Sequence, residues 1–121
     1  MLKIAFLQVL VLIASCLASA VASAQSEYPN KPIRIVVPYP PGGASDTAGR
    51  VYVEGLTPLL GQQIIVDYRA GAGTNIGAAF VAGAAPDGYT LYVANFASNA
   101  VNKWLYKKLT YDSVKSFAPS R

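Results

Sequence analysis

The sequence predicts an α/β fold with a parallel-type sheet and flanking helices. Two observations carry this. A β-branched or aromatic run, a glycine-rich or polar loop and a helical stretch follow one another three times along the chain, the signature of strands joined by helical crossovers. The 121 residues, 53% hydrophobic and 13% charged, suit one small globular domain and leave no room for two.

The chain begins with a segment set apart from that pattern. Lys3 precedes an apolar run from Ile4 to Leu17, and a small-residue string ends in Ala22-Ser23-Ala24 before Gln25. A basic start, an apolar centre and an A-x-A site describe a secretory signal peptide over residues 1–24. Two alternatives stay open: Ile13-Ala14-Ser15-Cys16 resembles a lipobox that would lipidate Cys16, and Ile4 to Ala24 is about long enough to act as an uncleaved anchor, although its Ala/Ser-rich second half makes a poor span.

Residues 25–121 form the domain. Tyr28-Pro29-Asn30-Lys31-Pro32 is a stiff lead-in, and Ile33-Arg34-Ile35-Val36-Val37 reads as the first, buried strand. Pro38 to Ala44 cannot continue it, because three prolines remove ladder donors and Gly42-Gly43 permit positive φ. Ser45 or Asp46 is expected to cap a helix that runs to about Leu60, with Val51, Leu56, Leu59 and Leu60 on its apolar side and Gly61 closing it. Gln63 to Asp67 is the second strand. Arg69-Ala70-Gly71-Ala72-Gly73-Thr74-Asn75 then repeats the first design, a glycine turn and a capping residue, before a helix through Ile76, Ala79, Phe80 and Val81. Pro86-Asp87-Gly88 marks a turn. Tyr89 to Ala94 is the third strand, and Asn95 to Asn99 a polar loop ahead of a helical stretch around Val101 to Lys107.

Such a sheet gathers its three loops at the carboxyl ends of the strands, where open α/β sheets bind ligands. The loop after Val37 supplies backbone N–H groups and the following helix the positive end of its dipole, a combination suited to a carboxylate. A plain strand-to-helix turn is the alternative. Arg69 beside the second glycine loop either reaches an anionic ligand or ties the loop down through its carbonyls. Tyr39 is the one tyrosine in a loop of this edge, placed to wall a pocket.

Composition excludes several chemistries. The chain has no histidine, so a Ser-His-Asp triad, a histidine base and histidine metal sites are ruled out. Its one cysteine, Cys16, leaves with the signal peptide, so no disulfide or thiolate serves the domain. Gly71 to Gly77 is one residue longer than a dinucleotide fingerprint and follows the second strand, and Gly-Lys-Ser/Thr is absent. The formal charge of +4 is too mild for a nucleic-acid stripe. Lys103, Lys107 and Lys108 read as a solvated helical face, with a binding patch as the alternative. No catalytic constellation can be assembled, so an enzyme is not expected.

Tyr28-Pro29-x-Lys31-Pro32-Ile33-Arg34-Ile35-Val36-Val37-Pro38, Pro41-Gly42-Gly43-x-x-Asp46 and Arg50 resemble the opening of the Bug-type receptors, the periplasmic solute-binding proteins of tripartite tricarboxylate transporters. Leu60-Gly61-Gln62, Arg69-x-Gly71-Ala72-Gly73, Ile76-Gly77, Ala84-x-Pro86-Asp87-Gly88-Tyr89-Thr90-Leu91 and Tyr111-Asp112 continue the match in order. The resemblance implies a type II periplasmic-binding fold, two lobes closing on a small organic acid, with membrane permease subunits as partners, a periplasmic location, and neither cofactor nor metal. It places ligand contacts at Tyr39, Pro41, Gly42, Gly43, Ala44, Ser45 and Asp46, at Gly73, Thr74 and Asn75, and at Ala97 and Ser98. Ala70 stands where such receptors usually carry proline, and Thr74 where a third glycine is common. The match covers only the N-terminal third of such a receptor, so the expectation is a truncated, partial lobe that binds carboxylates in the millimolar range or not at all. A non-binding remnant, or a partner that acts by assembling with another chain, is the alternative.

Overall fold

The computed structural model describes residues 28–119. The expected signal peptide and its alternatives, a lipobox at Cys16 and an uncleaved anchor, fall outside the described residues. Three parallel strands, β1 (Ile33–Val37), β2 (Ile64–Tyr68) and β3 (Thr90–Tyr92), form one sheet in the order β2-β1-β3. Two helices connect them, α1 (Ala44–Leu60) and α2 (Asn75–Ala82), and a short α3 (Asn102–Leu105) follows β3. The α/β class and the three-stranded parallel sheet are as the sequence predicts.

Register sorts the side chains. Ile33 pairs with Ile64, Ile35 with Val66 and Leu91, and Val37 with Tyr68. These residues share one face of the sheet, and there Ile33, Ile35, Val37 and Ile64 make the buried core with Val53, Leu56 and Leu60 of α1. The helix presents the row 49-53-56-60 to the sheet, spaced for one face, and Gly49 lets it approach Val37. Val51 and Leu59, expected on that side, are exposed instead. The contact row begins at a glycine, which a hydrophobicity pattern does not register.

The opposite face carries Arg34, Val36, Ile65 and Asp67 and receives α2. Phe80 of that helix lies under the Arg69 guanidinium at 3.5 Å and near that of Arg34. Gly77 is where α2 meets β1's exit: a Cβ there would stand 3.1 Å from the Pro38 side chain and 3.0 Å from the Arg69 carbonyl. Only a residue without a side chain permits that approach.

Boundaries shift by small, explicable amounts. β2 ends at Tyr68, one residue beyond the expected end, because Tyr68 still pairs with Val37. β3 stops at Tyr92 because the Ala94 N–H folds back to the Tyr92 carbonyl (2.9 Å), a tight turn that leaves the ladder. Gly61 ends α1 in the left-handed conformation with its N–H on the Thr57 carbonyl, as expected. At the amino end of the sheet the Tyr28 hydroxyl donates to the Gly88 carbonyl (2.8 Å) and Lys31 pairs with Asp87 (3.3 Å), strapping the lead-in to the Pro86-Asp87-Gly88 turn.

Candidate functional site

The three loops leave the carboxyl ends of β1, β2 and β3, and the first meets α1 at residue 43. The N-cap of α1 is Gly43, extended at φ −93°, and no side chain caps the helix. This corrects the expectation for Ser45 or Asp46. Asp46 stands on the third helical position and turns outward and back: its Oδ2 accepts the Gly42 N–H at 2.7 Å. Gly42 sits at φ +95°, a conformation open to glycine at little cost, and the bond to Asp46 holds it there. The first-turn N–H groups of α1 therefore remain without an intrahelical acceptor.

Asp46 is 4% exposed, and its other oxygen is equally committed. Oδ1 accepts the Tyr68 hydroxyl (2.7 Å) and Arg50 Nε (3.0 Å), and Arg50 Nη2 donates in turn to the Tyr68 hydroxyl (3.0 Å). The Tyr68 hydroxyl and then the Gly42 N–H hold the Asp46 carboxyl below the usual carboxylate range, while the bond to Asp46 raises Tyr68. Arg50 offsets the Asp46 charge, so the first loop is not repulsive to an incoming anion.

The second and third loops are fastened to each other. Asn102 Nδ2 donates to the Gly73 carbonyl (2.7 Å) and to Asn75 Oδ1 (2.6 Å), and the Tyr111 hydroxyl donates to Asn75 Oδ1 at 2.8 Å. α2 begins at Asn75 behind Thr74, its N-cap, which is left-handed at φ +77° and makes no capping bond. The capping role expected on this loop is therefore unfilled. Burial raises the phenols of Tyr92 and Tyr111. The third loop is a π-helical turn, Ala97–Val101, with Ser98 fully buried. Its hydroxyl bonds to Asn99 Oδ1 at 2.7 Å and its N–H donates to Asn95 Oδ1.

The structure thus brings Gly42, Gly43, Ala44, Ser45 and Asp46 together at the start of α1, and Gly73, Thr74 and Asn75 at the start of α2 beside Pro38. Ala97 and Ser98 join the second loop through Asn102 and Tyr111, and Tyr39 stands partly exposed on the first. Arg69 reaches neither a loop carbonyl nor open solvent alone: its Nε pairs with Asp67 at 2.9 Å over the Phe80 ring. Sequence reasoning passed over Tyr68, Asn102 and Tyr111. Tyr68 is legible only once its register with Val37 is known, and Asn102 and Tyr111 act across 27 and 36 residues of chain. Among the described residues no cluster of three histidine, cysteine, aspartate or glutamate side chains offers a metal site.

A sequence profile described as "Tripartite tricarboxylate transporter family receptor" matches residues 48–120. Protein BugT of Bordetella pertussis is 40% identical over 93 residues, 76% of this chain and 28% of BugT. A Rhodopseudomonas palustris protein solved with adipate superimposes with a TM-score of 0.69 at 32% identity, over 72% of this chain and 29% of that one. MatC from the same organism, with bound malate, gives 0.65 at 35%, over 76% and 31%. The chain spans about a third of the length of the curated relatives it matches.

Proposed function

The chain belongs to the tripartite tricarboxylate transporter family of receptors, and from that premise we propose that its carboxyl sheet edge binds one end of a small di- or tricarboxylate. Family and neighbours are periplasmic solute-binding proteins. Export to the periplasm, delivery to permease subunits and a binding role without catalysis are parts of the same proposal. One observation carries it. Two helices, α1 and α2, start at the same edge of a parallel sheet with no side-chain cap on either; the Asn75 N–H is taken up by the Ala72 carbonyl, and the remaining first-turn N–H groups and two positive dipole ends stand at that edge. Adipate and malate in the two neighbours support the carboxylate class.

Calorimetric titration with malate, with adipate and with uncharged adipamide tests the reading. Saturable heat from an acid and none from adipamide is expected; equal heat from adipamide overturns the anion reading. A second reading, assembly with another chain, draws on Phe96, Trp104 and Leu105, which are 77%, 81% and 70% exposed.

A further inference from the structure

The basic side chains of the described residues fall into two groups. Those before position 100 are each answered by an aspartate: Lys31 pairs with Asp87, Arg34 and Arg69 with Asp67, and Arg50 with Asp46. Lys103, Lys107, Lys108 and Lys115 are exposed, and none of them stands within salt-bridge distance of a described carboxylate. Residues 103–115 hold these four lysines against a single acid, Asp112. Asp112 turns back on its own backbone, its Oδ1 accepting the N–H groups of Val114 and Lys115 at 2.9 Å each. The positive excess is therefore gathered on one short segment. α3 ends at Leu105, so Lys107 and Lys108 lie beyond it and the expected solvated helical face does not form. Lys103, Lys107 and Lys115 instead surround one surface hollow, with Tyr106 and Val114 in its wall.

Large apolar side chains stand exposed among these charges. Trp104 and Val114 are 81% and 72% exposed, and Lys103 Nζ lies 5.2 Å from the centroid of the Trp104 ring. The cores of protein interfaces welcome tryptophan but are depleted in lysine. Tryptophan and tyrosine mixed with lysine is the composition that settles at the headgroup level of a bilayer, where lysine stems lie along apolar surface and their ammonium groups reach phosphate. We propose that the surface formed by residues 103–115 docks on an anionic phospholipid bilayer, with its lysines on headgroup phosphates and Trp104 and Val114 in the interface. The carboxyl edge of the sheet takes no part in this contact, so the docking surface stands or falls apart from the carboxylate reading.

Trp104 is the one tryptophan of the chain, so its fluorescence reports this surface even where residues 1–24 also meet lipid. The test titrates the full chain with vesicles of mixed phosphatidylcholine and phosphatidylglycerol. Trp104 emission is expected to shift to the blue, to be quenched by phosphatidylcholine brominated in its acyl chains, and to return to its starting position in high salt. Phosphatidylcholine alone should leave it unchanged. Lys107→Gln and Lys115→Gln should each weaken the partition about fivefold, and together about twenty-fivefold, on the scale of one lysine near an anionic surface. The quenching measurement uses the unaltered chain and so does not depend on how a variant folds. Vesicle binding with an unshifted Trp104, or an equal shift on phosphatidylcholine alone, would overturn the proposal. A shift with polyglutamate and none with vesicles would overturn it in favour of an acidic protein partner, and a shift that grows with protein concentration in buffer alone, with none added by vesicles, in favour of a second chain.

Discussion

A buried carboxylate beside the proposed anion-binding edge needs a reason, and Asp46 has three partners that supply one. It holds Gly42 in place, and Arg50 offsets its charge. Two predictions follow from those bonds. Asp46, Asp87 and Asp112 are each held below the ordinary carboxylate pKa, by the Tyr68 hydroxyl, the Tyr89 N–H and the Lys115 N–H respectively. The stability they confer is present above the ordinary value of about 4 and disappears as pH falls through their lower folded values. Denaturant unfolding at pH 6 and pH 3 should show the fall, and Asp46→Asn should be less stable at pH 6 with a shallower fall; an unchanged slope would remove Asp46 from the account. Gly77→Ala should cost about 1–3 kcal/mol by overpacking, since the new methyl meets backbone and Pro38 at 3.0 and 3.1 Å. Denaturant midpoints measure this, and a neutral substitution would mean that α2 can slide off β1.

Elements were legible in proportion to how local their causes are. β1 occupies Ile33–Val37, as the β-branched run and the prolines after it require. Gly61 ends α1 through its own backbone conformation. The helix starts were read less well, because polar residues at the right spacing for caps serve other partners: Asp46 answers to Tyr68 at the end of β2, and Asn75 to Asn102 and Tyr111. Those pairings depend on register and on chain returning from far along the sequence, neither of which a local pattern encodes. The segment after α3 illustrates the point. Phe117 stacks on Tyr92 with ring centroids 5.5 Å apart and meets Tyr111 edge-on at 5.8 Å, closing the polar cluster from outside. Phe117→Ala should cost about 1–3 kcal/mol, counting two aromatic pairs. It should also mobilise the Ala97–Val101 turn in hydrogen exchange; unaltered protection there would detach the aromatic trio from the loops.

At the scale of the molecule, the sheet is only partly enclosed. Among the described residues β2 and β3 each keep one edge without a strand partner, and Ile65 on the α2 face is 45% exposed. Open edges and uncovered apolar faces invite association. Sedimentation over a concentration series should reveal self-association that Ile65→Lys reduces. Purely monomeric behaviour at every concentration would show the described elements to be sufficient cover.

The three loops nonetheless converge where the strands end, and the most direct test of that convergence is a backbone amide map of the chain titrated with malate. The account predicts shifts at Gly42 to Asp46, Asn75 to Gly77 and Ala97 to Asn99 along a single saturable isotherm. Shifts confined to the lysine-lined surface hollow of Lys103, Lys107 and Lys115, with the sheet edge silent, would contradict it.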